Sequence, residues 1–145
     1  MVYITSSADE TIAVGREIAA RISAPRLILL EGDLGAGKTT LAKGIVSGLG
    51  AASEDDVSSP TFALVQEYGP GPLVYHIDLY RLDDAPDLDS LGLEDIWDSG
   101  AVVLMEWGGR FKARFPGQPV EIRLQYLDGD QRKIEVAGLP QEAAQ

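Results

Sequence analysis

Arg26-Leu27-Ile28-Leu29-Leu30-Glu31-Gly32-Asp33-Leu34-Gly35-Ala36-Gly37-Lys38-Thr39-Thr40 is the stretch from which the fold can be read. The aliphatic run Leu27 to Leu30 has no polar alternation, as expected of a strand covered on both faces of a sheet. It leads straight into Gly32-x-x-x-x-Gly37-Lys38-Thr39, a match to G-x-x-x-x-G-K-[ST], and residues 38 to 49 then carry helical spacing. Glycines at 32, 35 and 37 let the backbone curl so that the N–H groups of Asp33, Leu34, Gly35, Ala36 and Gly37 converge on phosphate oxygens. The helix that follows adds the N–H groups of Lys38, Thr39 and Thr40 and a positive dipole end. In such a loop the lysine, Lys38, reaches the β and γ phosphates and the hydroxyl of Thr39 meets the bridging magnesium ion. Composition makes a chance match anywhere in the chain roughly a 0.5% event, before the flanking strand and helix are counted.

Outward from this stretch, the periodicity alternates between helix and strand. Ser7-Ala8-Asp9-Glu10 has capping-box spacing and Val14, Ile18 and Ile22 follow at i+4 intervals, predicting an amphipathic helix over 8–23 that stops before Pro25. Downstream, the acidic and Ser-rich segment 51–60 reads as a loop. Thr61 to Tyr68 and Leu73 to Tyr80 read as strands of a hairpin turning at Gly69-Pro70-Gly71-Pro72. Short apolar spacing around Leu88, Leu91, Leu93 and Ile96 predicts one or two short helices within 83–100, and Ala101 to Met105 is a second buried strand. Val120 to Tyr126 and Arg132 to Val136 alternate on either side of Asp128-Gly129-Asp130, a second hairpin. The expectation is an α/β P-loop NTPase fold with a mixed central sheet and helices on both faces. It forms one domain over residues 1–138, with a loose tail over 139–145.

Length and composition narrow the function. At 145 residues the chain has room for one domain and not two, and its 45% hydrophobic and 24% charged content is that of an ordinary globular core. With no cysteine and a single histidine, thiolate zinc sites, thiol nucleophiles and multi-histidine metal clusters are excluded. No aliphatic run approaches the ~20 residues of a membrane helix, and the N-terminus has no secretory signal pattern, so a cytoplasmic location is expected. Acidic residues outnumber basic ones 23 to 12, a formal net charge of −11. Strong direct nucleic-acid binding is therefore not expected, whereas a protein partner with a basic face is.

A phosphate loop needs a further carboxylate to hold metal or orient water, usually at the end of a neighbouring apolar strand. Glu106, at the end of Ala101 to Met105, is one candidate. Asp78 is the other, in His76-Ile77-Asp78-Leu79-Tyr80, where alternation gives one face to His76, Asp78 and Tyr80 and the other to apolar residues. For His76 a structural hydrogen bond is the favoured role. Ser58-Ser59-Pro60-Thr61 occupies the position where nucleotide switches carry a hydroxyl facing the γ phosphate, although simple strand-entry chemistry is an equal reading. Trp107 suits the core or a pocket wall, and Arg81, Arg110 and Arg114 suit solvent, phosphate or partner contacts.

Taken in order, Glu31 to Thr40, Val57-Ser-Ser-Pro-Thr-Phe62, His76-Ile-Asp-Leu-Tyr-Arg-Leu82, Leu91-Gly-Leu-Glu-Asp95 and Glu106-Trp107 resemble the TsaE (YjeE-type) family, P-loop ATPases of bacterial tRNA threonylcarbamoyladenosine biosynthesis. With the opening helix and closing hairpin the resemblance spans nearly the whole chain. It implies an ATP- and Mg2+-dependent ATPase that docks on threonylcarbamoyl-transferase subunits and drives or resets them. By position it implies that Lys38 binds phosphate and Thr39 and Glu106 bind magnesium. Asp78 and Glu106 would support hydrolysis, and Thr61 would belong to the switch-like loop. The family's adenine environment would bring in Arg110 and Lys133, while Gly108-Gly109 departs from the residues usual after Glu-Trp. Two other classes remain as competitors. A small-molecule P-loop kinase could use Arg110 and Arg114 as its clamp, and a nucleotide-dependent interaction module would bind without turnover. A GTPase is disfavoured, because its usual guanine-reading loop needs asparagine and this chain has none.

Overall fold

In the computed structural model, the described residues are 1–32, 37–53, 55, 57, 65–69, 74–79, 92–107, 115 and 117–139. Among the described residues, β2 (Arg26–Glu31) lies near the middle of a seven-stranded sheet and its four aliphatic residues are all buried. Sheet order is β1 (Val2–Thr5), β7 (Arg132–Ala137), β6 (Val120–Tyr126), β2, β5 (Val102–Glu106), β4 (Val74–Asp78), β3 (Val65–Tyr68). β6, β2, β5 and β4 are mutually parallel, while β3 on one side and β7 and β1 on the other pair antiparallel. The sheet is thus mixed, as expected. Continuous apolar runs form β2 and β5 at the parallel centre, while the alternating β6 borders β2 and leads into the antiparallel flank.

Register divides the core into two layers. Ile28 and Leu30 of β2, Val102 and Leu104 of β5, and Ile122 and Leu124 of β6 pack against α1 (Ala8–Ala19) and α2 (Lys38–Gly48). Leu27 and Leu29, Val103 and Met105, and Ile77 point the opposite way, toward α3 (Leu93–Asp98) and Phe115. Helices therefore cover both faces.

Local sequence explains the helix starts. Ser7 caps α1, its Oγ accepting from Glu10 N–H at 3.1 Å, while the Glu10 carboxylate accepts from Ser6 N–H at 2.8 Å. The helix stops four residues before the expected boundary. Arg21 N–H bonds Ile18 C=O and Ile22 N–H bonds Ala19 C=O, the tight i→i+3 pattern of a closing turn. Ile22 still packs on the core from that turn. α1 and α2 cross at a glycine seam: a Cβ on Gly44 would sit 2.1 Å from Ile12 O, and one on Gly15 2.6 Å from Leu41 O. Only hydrogen at these positions lets the two helices approach so closely.

β1 is an element that the sequence reading did not assign. Its Val2 and Ile4 are exposed on the sheet's outer side, and a buried 2.8 Å hydrogen bond between the Thr5 and Thr11 hydroxyls ties it to α1. The hairpin expected over 61–80 is described from Val65 and the helix expected within 83–100 from Leu93. Residues 83–91 lie outside the described part.

Candidate functional site

Four parallel strands present their carboxyl ends at one edge of the sheet, the edge at which open α/β folds hold ligands. The register there aligns Leu30 of β2, Glu106 of β5 and Asp78 of β4 across three neighbouring strands. Leu79 N–H extends the pairing by donating to Glu106 C=O at 3.0 Å. Asp78 and Glu106 share the parity of Val74, Val102, Leu104 and Leu30, so both carboxylates lie on the α1–α2 side of the sheet. The two acids that the sequence singled out are thus adjacent in space, two residues short of the level of Gly32 on β2's exit.

α2 begins at that same edge. Gly37, its N-cap, has φ 101°, a left-handed conformation that side chains resist. Lys38 follows, 6% exposed; its Nζ donates to the Gly32 carbonyl and lies 4.4 Å from the centre of the Trp107 ring. The ring reaches this position because Trp107, directly after β5, has φ 62°, unusual for a residue with a side chain. Thr39 and Thr40 are half-buried in the first turn. Asp33, Leu34, Gly35 and Ala36, together with Ser58 to Thr61, Arg81, Arg110 and Arg114, lie outside the described residues.

Glu106 is 3% exposed and His76 wholly buried, and His76 Nε2 sits 2.6 Å from Glu106 Oε2. This buried pair joins the single histidine to one of the two acids. Among the described residues no group of three or more His, Cys, Asp or Glu side chains forms a metal cage. A magnesium ion needs no such cage, since it keeps waters and uses one or two protein ligands beside substrate phosphates. The donor set of Thr39 and Glu106 fits that chemistry.

The closing hairpin approaches the same edge with a residue that the sequence reading did not select. Arg132 shares the parity of buried Ile134 and Val136, and its Nε would lie 3.8 Å from a Cβ placed on Gly37. The guanidinium stacks 4.6 Å above the Tyr126 ring, and its buried Nε has no hydrogen-bond partner among the described residues. Lys133 faces the other way: it pairs with Glu135 at 3.3 Å on the outer face of the sheet. The structure therefore brings Arg132 beside α2's N-terminus, on the opposite face of β7 from Lys133. The signal was present in the alternation, because Arg132 is in phase with the apolar positions of its strand.

Comparison with known proteins gives a consistent result. A family model described as threonylcarbamoyl adenosine biosynthesis protein TsaE matches residues 5–134. A Haemophilus influenzae protein named tRNA threonylcarbamoyladenosine biosynthesis protein TsaE is 40% identical over 111 residues, 76% of this chain and 68% of its own length. The Bacillus subtilis protein of the same name is 37% identical over 131 residues, covering 90% of this chain and 80% of its own. The crystal structure of Bacillus subtilis YdiB superposes with a TM-score of 0.72 at 32% identity, covering 92% of this chain and 82% of that one. With an α/β P-loop fold and a family match running from β1 into β7, the chain belongs to the TsaE family of threonylcarbamoyl adenosine biosynthesis proteins.

Proposed function

We propose that this protein is the ATPase subunit of tRNA N6-threonylcarbamoyladenosine biosynthesis, hydrolysing ATP to drive or reset threonylcarbamoyl-transferase subunits on which it docks in the cytoplasm. The observation that carries the reading is the register pairing of Asp78 with Glu106 on the α2 side of the sheet, beside the strand that leads into Gly32-x-x-x-x-Gly37-Lys38-Thr39. Phosphates are held by the backbone N–H groups of Asp33 to Gly37 and the first turn of α2, through Thr40, and by the ammonium of Lys38. Thr39 and Glu106 would hold magnesium, which would supply positive charge to the phosphates. Asp78, beside Glu106, orients the attacking water and accepts its proton. Thr61 serves the γ-phosphate side. Arg110 and Lys133 serve the base side, and Arg132, beside Gly37, adds a cation near the phosphate loop.

Steady-state ATP hydrolysis by the purified chain, alone and with the threonylcarbamoyl-transferase subunits of the same source, tests this. Strong stimulation is expected. Asp78→Asn and Glu106→Gln should each lower the stimulated rate by about 100-fold or more while calorimetry still registers nucleotide binding. ATP binding without stimulated turnover, or normal turnover in either variant, overturns the proposal.

A further inference from the structure

The contact between His76 and Glu106 asks for an explanation beyond packing. His76 is the only histidine of the chain and lies wholly buried on β4, two residues before Asp78. Its neighbours in register are Leu104 on β5 and Gln66 on β3. Leu104 is one position before the strand residue that precedes Glu106, so the imidazole reaches diagonally along the sheet to the carboxylate. The alternatives for such a site are an apolar residue or a residue whose polar atoms are all used. Here Nε2 is used at 2.6 Å, and Nδ1 is buried with no partner among the described residues.

A carboxylate oxygen accepts and an imidazole N–H donates, so the 2.6 Å contact is read with the hydrogen on Nε2. A bare Nδ1 lone pair is cheaper to bury than an unpaired N–H, which fits a hydrogen on Nε2 facing Oε2. Glu106 otherwise has rotatable bonds with which to turn its carboxylate. A charge-assisted hydrogen bond at this distance fixes the plane of the group and commits Oε2 to the protein interior.

We propose that His76 is a positioning residue: its Nε2–H holds Oε2 of Glu106 and so leaves Oε1 free, in one orientation, for the cation that accompanies the nucleotide. The inference rests on the reading above in which Glu106 is a magnesium ligand. Carboxylates that ligate metals are commonly held by such outer hydrogen bonds, and losing one typically costs 10–100-fold in metal affinity or activity.

The test separates this role from a structural one. His76→Phe keeps a ring and removes the donor, whereas His76→Gln can offer an amide N–H to the same oxygen. In calorimetric titrations of MgCl2 into the protein saturated with a non-hydrolysable ATP analogue, His76→Phe should need at least tenfold more Mg2+. Its affinity for the analogue without Mg2+ should be unchanged, and His76→Gln should recover most of the loss. An unchanged Mg2+ requirement in His76→Phe, or equal impairment in both folded variants, overturns the role. Nitrogen-15 spectra of the ligand-free protein give a second readout that does not require any His76 variant to fold. Hydrogen on Nε2, with a resonance that moves in Glu106→Gln, is expected; hydrogen on Nδ1 overturns the proposal. If the wild type binds nucleotide and Mg2+ in this way but never hydrolyses ATP with its partners, the ATPase reading fails while the positioning role stands.

Discussion

At the scale of single residues, Lys38 has protein contacts that a bound phosphate would have to replace. Its ammonium donates to the Gly32 carbonyl and lies over Trp107, so the buried charge has protein partners. Lys38→Ala therefore removes a charge-assisted phosphate contact of about 2 kcal/mol, or ~30-fold in nucleotide affinity. It should also lower folding stability by about 1–2 kcal/mol, through the lost carbonyl bond and cation–π contact. Calorimetry with ATP and chemical denaturation check the two parts separately, and unchanged ATP binding would sink the phosphate role. The residue types of the site were legible in the sequence, because Lys38 and Thr39 sit in a local motif and Asp78 and Glu106 sit at the ends of readable strands. The partnership of His76 with Glu106 was not, since it needs the register of β4 on β5 and the two residues stand 30 positions apart. Arg132 shares the buried phase of β7 with Ile134 and Val136, a placement already carried by the alternation of the strand.

At the scale of elements, the seam between α1 and α2 determines where Lys38 and Thr39 stand, because α2 has little freedom once Gly44 touches Ile12 and Gly15. Gly44→Ala should gain ~1 kcal/mol of helix propensity and lose more to overpacking, which costs typically about 1–3 kcal/mol and rises when the neighbour is backbone. A Cβ at 2.1 Å from a carbonyl oxygen can be relieved only by moving a helix. A lowered thermal midpoint together with weakened nucleotide binding is the expected outcome. An equally stable Gly44→Ala variant would mean the helices are free to separate. Helix and strand positions around β2 and the closing hairpin were legible because their signals are local: aliphatic run, capping residue, alternation, turn. β1 was not, although Val2-Tyr3-Ile4-Thr5 is rich in strand-favouring side chains. A four-residue strand with Val2 60% and Ile4 54% exposed carries almost no burial pattern, and its existence depends on β7 at the other end of the sequence.

For the whole molecule, charge acts in two opposed ways. A formal net charge of −11 on 145 residues repels itself in the compact state, and the same field would attract a partner with a basic face. Raising ionic strength from ~20 to ~200 mM shortens the screening length several-fold. The thermal midpoint of the isolated chain should therefore rise over that range, and under the proposed function a partner-stimulated ATPase rate should fall. A stimulated rate indifferent to salt would show that docking is apolar. Sheet order has a further consequence, in time. β1 ends at Thr5 and pairs with β7, which begins at Arg132, so at ~5–20 residues per second of synthesis the first strand waits roughly 6 to 25 s for its neighbour. β2 likewise meets β5 and β6 only after long intervening stretches have been made. A nascent chain halted between β5 and β6 would hold out the unpaired flank of β2, aliphatic on both sides, as a template for any other strand. Ribosomes that stall in that window should release aggregating fragments, whereas those that pass β7 release a chain whose sheet can close at once.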